Sequence, residues 1–410
     1  MKGDKLQHGN QHWVSRQAQS LRDAQRRVEG KDRLDSDSAI ELAVHQLNDV
    51  FGESDALIAT SYRYGVIGYF ADHVIFMPGF ALFSCSKAGM AVAIRAGATD
   101  RSRIVNWPAG SEETFSLGAE DAVRTDLDSW AVCIENLAAP IDGLPSTFDI
   151  SIVSAIPIED ETSFVAAFGV ALSDALQGFV DEDLDISDNT IASAFEPAVG
   201  FQAAPVYVTA VRGTLADMFA LVDSEKCELV NFDVVGEMAV GYIQIPGQPG
   251  LDASFVEKRR RDAGACLLRI QERRPSLPSL AHLYHKDLQN IEKSLPRKLR
   301  YAVNYLVKEN QRVQRAVTAA RKGDWQLFGA LLFMSNSALT SDWGLQSKGG
   351  AFISEMVKEK TTEGLVGARI SGDGRHVYVL GQPFSVPVQM DDIRKSYKDH
   401  FGTQPRTELL

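Results

Sequence analysis

A mixed α+β protein built as two lobes is what this sequence predicts. Three observations carry that expectation. The chain has 410 residues, more than one ordinary hydrophobic core organises. Short apolar runs of strand type alternate with segments of helical periodicity. No regular strand–helix–strand repeat is present, so a doubly wound parallel sheet is not indicated. With 45% hydrophobic and 23% charged residues, the composition is that of a folded chain.

The elements follow in order. Residues 1–37 are polar and read as an N-terminal arm. Ser38-Ala-Ile-Glu41 has the form of a capping box, after which Ile40, Val44, Leu47 and Phe51 share one helical face until Gly52. Ala56–Gly68, Met90–Arg95 and Phe148–Ile156 read as strands of a half-buried sheet. After Pro157, Phe164, Ala167, Phe168, Ala171, Leu172, Ala175 and Leu176 recur at spacings of three and four, an apolar stripe made to lie on that sheet. Strands are expected again at Glu228–Val234 and Val240–Ile245, and helices at about 254–272, 298–321 and 325–334. His376–Leu380 reads as a last strand, followed by a terminal helix near Asp391–Phe401. A division into an arm (1–37), an N-terminal lobe (38–205) and a C-terminal lobe (206–410) fits this order.

The net charge of −12 argues against nucleic acid or anionic membrane as a partner, both of which require a positive face. The basic cluster Lys258–Arg261 reads as a solvated helix face. The N-terminus has no apolar core of a secretory signal, and the longest apolar run, Val74 to Cys85, is broken by Pro78 and Gly79. Cys85, Cys133, Cys227 and Cys266 are widely spaced and expected to be free thiols. A cytoplasmic protein is the expectation. Asp181-x-Asp183-x-Asp185 opens like a calcium loop, but Ile186 and Ala192 stand where Gly and Glu are required.

Several segments, in order, resemble galactokinases, a branch of the GHMP superfamily of small-molecule kinases. Thr60-Ser-Tyr-Arg-Tyr-Gly-Val-Ile-Gly-Tyr-Phe-Ala-Asp72 resembles the first motif, roughly PGRVNLIGEHTDY. Ser129-Trp130 resembles the W-x-x-Y region, and Val153-Ser-Ala-Ile-Pro157 the strand that enters the phosphate loop. Ala220-Leu-Val-Asp223 and Lys258-Arg259-Arg260 resemble the ALLID strand and YNxRR helix. Arg300 with Arg312-Val313 resembles the RhVxxExxRV helix, and Phe328–Ser335 the FGxLMxxSH segment. Gly367-Ala-Arg-Ile-Ser-Gly-Asp-Gly374 resembles the third motif, and Tyr397 to Gly402 the closing helix. The resemblance spans about 40–402 and implies a two-lobed fold with mixed sheets, a cleft between the lobes, and ATP, magnesium and a sugar-like alcohol as ligands of an active member.

The residues that would carry phosphoryl transfer are largely replaced. Positioned phosphates, a metal and a base for the acceptor hydroxyl are the usual requirements. The phosphate loop, P-x-G-x-G-L-S-S-S in the family, becomes Pro157-Ile-Glu159-Asp160-Glu161-Thr162-Ser163-Phe164-Val165. Carboxylates replace both glycines, and the magnesium serine aligns with Val165. These acids suit a helix N-terminus but oppose a triphosphate by about 1 kcal/mol each or more. Tyr207 stands at the position of the aspartate base, and a phenol is a poor base at neutral pH. Glu196 is a metal candidate only if the alignment shifts by one residue.

Arg63 and Asp72 match the first motif, whereas Tyr69 and Phe70 replace its Glu and His. Phe255 replaces a sugar-binding Tyr. Arg63, Tyr69, Asp72 and Tyr207 are therefore the candidate substrate residues. Gly372 and Gly374 form a glycine turn expected to join helix to strand. The preferred reading is a non-catalytic galactokinase-like protein that binds a small molecule or a protein partner, with no assigned cofactor. The alternative is an active kinase or repurposed enzyme using ATP and magnesium on a sugar or less polar metabolite. Loss of the aspartate base alone does not exclude catalysis in this superfamily.

Overall fold

The computed structural model describes residues 35–72, 79–107, 111–115, 130–157, 161–180, 186–199, 205–224, 226–250 and 253–410. The protein is α+β, with two sheets packed by helices, as the sequence predicts. It divides into two compact units, each discontinuous in sequence. Met1–Arg63, Ala88–Pro157 and Ala171–Asp185 form the first; Tyr64–Lys87, Ile158–Val170 and Ile186–Leu410 form the second.

The first half of the chain supplies α1 (Ser36–Phe51), β1 (Ile58–Phe70), β2 (Phe80–Ala96), β3 (Ser102–Trp107), β4 (Ser111–Phe115), α2 (Trp130–Ala138), β5 (Phe148–Ser154) and α3 (Glu161–Leu176). In the first unit β5 pairs antiparallel with the second half of β2, from Met90↔Ser154 to Ala96↔Phe148, and parallel with β3. β4 is antiparallel to β3. The sheet is thus mixed. Ala39, Ala43 and Leu47 of α1 bury against Ala91 and Ala93 of β2 and Val153 of β5.

α1 begins earlier than its sequence suggests. Asp35 caps it, its carboxylate accepting the Ser38 N–H at 2.8 Å, so the Ser38–Glu41 pattern lies inside the helix. Asp caps as well as Ser does, and here it reaches the orphan amide first. The helix ends where expected, on Gly52 at φ +86° with its N–H on Asn48 O.

Beneath α1 lies a buried ion cluster that apolar periodicity does not reveal. Asp149 is fully buried and accepts from Arg103 Nε and Nη2, both at 2.8 Å, and from Arg95 Nη2 at 3.2 Å. Arg95 also donates to Asn48 Oδ1 and to Gly52 O, tying the carbonyl end of α1 to the sheet. Arg95→Met is expected to cost about 2–3 kcal/mol, the worth of charge-assisted bonds whose partners stay buried. Urea denaturation measures this, with Arg103→Met, from a quarter-exposed side chain, as the milder comparison.

The second half supplies α4 (Asp188–Val199), α5 (Pro205–Gly213), β6 (Phe219–Asp223), β7 (Glu228–Phe232), β8 (Ala239–Gln244), α6 (Ala253–Gln271), α7 (Leu288–Ser294), α8 (Arg300–Lys322), α9 (Trp325–Ala338), α10 (Lys348–Glu359), β9 (Leu365–Ile370), β10 (His376–Gly381), α11 (Ser385–Phe401) and β11 (Thr407–Leu409). In the second unit the first half of β2 pairs antiparallel with β6, and β6 with β7. A second sheet, ordered β11-β8-β10-β9, is antiparallel throughout. α9 and α10 pack on β9, and α11 on β8.

The apolar stripe of α3 is buried along its length. Within the first unit Ser61 Oγ donates to Ala171 O at 2.5 Å; within the second, Val66 N–H donates to Ser163 Oγ at 2.9 Å, so β1 and α3 run together.

Three further sequence expectations need correction. The last strand is β11, not His376–Leu380; it adds to β8 and is too short to carry a periodic signal. α11 starts at Ser385, because Pro387 lies in its first turn, where a missing N–H is harmless. The glycine turn of the third motif joins two antiparallel strands, β9 and β10, rather than a helix to a strand. Among the described residues no helix is long and apolar enough to cross a membrane.

Candidate functional site

The second half of β1 is buried residue by residue, and the strand ends at Phe70. Ala71 then takes φ +59°, a left-handed conformation costing a non-glycine residue roughly 1–2 kcal/mol. The turn places Asp72 in the interior of the second unit, with no solvent exposure. Gly68 makes the room. A Cβ there would lie 2.7 Å from Asp72 Cβ and 3.0 Å from the Tyr207 hydroxyl.

A buried carboxylate requires donors. Asp72 Oδ1 accepts from Arg369 Nη2 at 2.6 Å. Its Oδ2 accepts from the Tyr207 hydroxyl and from the Gly372 amide, each at 3.0 Å. Tyr207 comes from α5, a helix started by Pro205, and its ring meets Phe83 edge-on at 5.0 Å. Arg369 comes from β9 and Gly372 from the hairpin after it.

The network continues inward. Arg369 Nη1 donates to Gly68 O, and its Nε to Ser335 Oγ, both at 3.3 Å. Ser335 in turn donates to Glu309 Oε1 at 2.6 Å, while Glu309 Oε2 accepts from Arg312 Nε at 2.6 Å. Two carboxylates and two guanidiniums thus form a balanced chain, with none of its members more than 6% exposed. Burial disfavours the Arg369 charge, but the Asp72 and Glu309 carboxylates outweigh it and raise its pKa above the usual arginine value.

Of the residues singled out in the sequence, Asp72, Tyr207 and Gly372 meet in this cluster. Gly374, at φ +85°, turns the same hairpin, and Asp373 accepts from the Ser371 hydroxyl and the Arg375 amide. Tyr69 sits in an aromatic core, stacked on Phe219 at 5.1 Å and edge-on to Phe328, with its hydroxyl on Ser84 Oγ. Burial raises its pKa, only partly offset by that bond. Arg63 belongs to the first unit, where its Nε meets Asp174 Oδ2 at 2.6 Å.

At the phosphate-loop position, Ser163 Oγ already accepts the Val66 N–H, and Val165 is a buried apolar side chain. Glu159 and Asp160 lie outside the described residues, as do the side chains of Glu161 and Glu196. The Asp181–Asp185 run also lies outside them. Among the described residues no group of three His, Cys, Asp or Glu side chains is placed to hold a metal. The face of Phe255 is covered by the Arg259 guanidinium, which lies 4.5 Å from its centroid and equally far from that of Tyr301.

Sequence reading passed over Arg369, Ser335, Glu309, Arg312 and Gly68 as site residues. A signal existed, since all five fall within the segments that resemble the family. What was missing was the reason for burying Arg369, Glu309 and Arg312, which only their partners in the fold supply.

No model of a known protein family matches the chain. It is 29% identical over 154 residues to a galactokinase of Thermotoga petrophila, 37% of this chain and 41% of that protein, so it spans about two fifths of that relative's length. To the Thermotoga maritima galactokinase it is 26% identical over 275 residues, 63% of this chain and 72% of the relative. A Roseiflexus galactokinase is 23% identical over 349 residues, 82% of this chain and 87% of the relative. In fold, the Lactococcus lactis galactokinase complexed with galactose superposes with a TM-score of 0.74, covering 90% of this chain and 96% of that one at 17% identity. The Methanococcus jannaschii mevalonate kinase gives 0.58 at 12% identity, covering 87% and 98%. In sequence the chain is thus similar to galactokinases, and its α+β architecture is the fold of the galactokinase and mevalonate kinase structures.

Proposed function

We propose that this chain is a non-catalytic galactokinase-like protein that keeps the kinase fold for binding or regulation and does not transfer phosphate. One observation carries the reading. The Tyr207 hydroxyl, at the position expected of the base, donates to Asp72, the carboxylate expected to meet the substrate. A phenol that spends its proton on a buried carboxylate, beside an arginine already paired with it, is not poised to take a proton from an alcohol. Asp72 accepts at least three donors out of roughly four lone-pair sites, which leaves little for a sugar hydroxyl.

The start of α3 supports the same reading. The described residues there do not fit a magnesium–triphosphate group, because Val165 offers no oxygen and Ser163 is engaged with β1.

The test is phosphoryl transfer and nucleotide binding by the full chain. With magnesium-ATP and galactose, a coupled assay is expected to release no ADP above the rate without protein. Calorimetry with magnesium-ATP is expected to give no saturable heat at millimolar concentration. A dissociation constant below about 50 µM, roughly −6 kcal/mol, together with sugar-dependent ADP release, would establish the active kinase instead.

A further inference from the structure

The helices layered on α8 carry a charge opposite to that of the chain. Residues 253–322 hold seventeen Lys and Arg against six Asp and Glu, whereas the whole chain holds 42 against 54. The segment lies wholly within the second unit. Ala263, Cys266 and Ile270 of α6 and Leu288 and Ile291 of α7 turn into the core with the buried face of α8. The polar faces of these same elements are left to solvent.

Local carboxylates neutralise only part of that face. Arg269 pairs with Glu272, Arg274 with Asp287, and Arg260 and Arg261 share Glu257. Lys258, Arg273, Lys286, Lys293, Arg297 and Lys298 are exposed and make no ion pair among the described residues. Two apolar side chains stand among them, Leu268 and Tyr284, each 68% exposed. The Arg274–Asp287 pair, at 3.1 Å, holds the end of α6 beside the turn that carries Tyr284 and Lys286, and the Lys286 ammonium lies 5.4 Å from the Tyr284 ring centroid.

We infer that this basic layer docks an acidic surface of a partner protein. A solvated face needs no excess of one sign, and a surface of unpaired cations repels itself unless a counter-charge is supplied. A long polyanion fits less well. Outside this segment the chain holds 48 Asp and Glu against 25 Lys and Arg, which would repel nucleic acid running past the layer. A compact acidic patch stays within it. Leu268 and Tyr284 add exposed apolar side chains to the same charged elements, a mixture that protein interfaces use and that phosphate backbones do not.

The test titrates the full chain with a dye-labelled glutamate-rich peptide carrying two leucines, read by anisotropy. Binding is expected at low salt and should weaken at least tenfold at physiological ionic strength, where the screening length is about 8 Å. A variant combining Arg273→Glu, Lys286→Glu and Arg297→Glu should lose binding while keeping its circular dichroism and melting temperature. Tyr284→Ala should weaken binding without changing the salt dependence. Failure of the peptide to bind overturns the inference, as does undiminished binding to the triple variant. Tighter binding of a single-stranded oligonucleotide of equal charge overturns it in favour of nucleic acid. Salt-sensitive self-association, seen by sedimentation and lost in the triple variant, overturns it in favour of a second copy.

Discussion

Asp72→Ala is expected to destabilise the protein by about 3–5 kcal/mol, the cost of leaving a buried charge without its partner. The residue has no solvent exposure, and the Arg369 guanidinium beside it is 1% exposed. Removing the carboxylate takes an acceptor from that cation, from the Tyr207 hydroxyl and from the Gly372 amide at once. An ordinary substrate-binding carboxylate in an open site would behave differently, since its removal leaves folding nearly unchanged. Chemical denaturation of the two proteins separates these cases.

Two further variants identify the cause. Asp72→Asn keeps volume and one acceptor but loses the charge, so it should still cost most of the effect. Combining it with Arg369→Met should be less than additive, because neither variant alone leaves the other partner satisfied. Full additivity would mean that the pair does not act as a unit.

Gly329→Ala is expected to be as damaging, for a steric reason. A Cβ at this position would lie 2.0 Å from Val366 O and 2.5 Å from Val366 C, both backbone atoms that no rotamer change can move. Across the same contact, a Cβ on Gly367 would lie 2.7 Å from Gly329 Cα. These two glycines let α9 lie directly on β9. Adding one methyl group must separate helix and strand, disturbing Arg369 and Ser335, which bridge the same two elements. The expected loss lies at or above the top of the roughly 1–3 kcal/mol range of overpacked cores. Gly264→Ala is the control: it is a helical glycine with nothing within 4 Å of the added atom, and should stabilise by about 0.5–1 kcal/mol. Thermal unfolding of both variants compares them directly.

The order of motifs along the chain was enough to indicate the fold, and the reason is visible in the glycines. Gly329 and Gly367 lie in segments that resemble the family because the α9–β9 contact admits nothing larger at either position. The α3 stripe and most helix spans were likewise readable, since a 3.6-residue repeat of apolar side chains has few other uses. Short elements were not. β11 has three residues, too few for any period, and exists because its backbone pairs with β8.

The candidate site divides in the same way. From the sequence alone came the reading of Tyr207 at the position expected of a base, of carboxylates at the position expected of a phosphate loop, and of Asp72 as a match to the first motif. These are identities at aligned positions, and identity needs no coordinates. What Asp72 does was decided by tertiary structure. Residues nearly 300 positions downstream, Arg369 and Gly372, close on it, and Gly68 leaves the space for them to do so. Tyr69, which the motif placed beside the substrate, is held in the Phe219–Phe328 core because its ring finds more apolar contact there than an open site offers. Sequence determined which charges this protein carries, through residue identity alone; tertiary structure decided which charges meet, because burial makes an unpaired charge too costly to leave, and the partners that prevent it lie far apart along the chain.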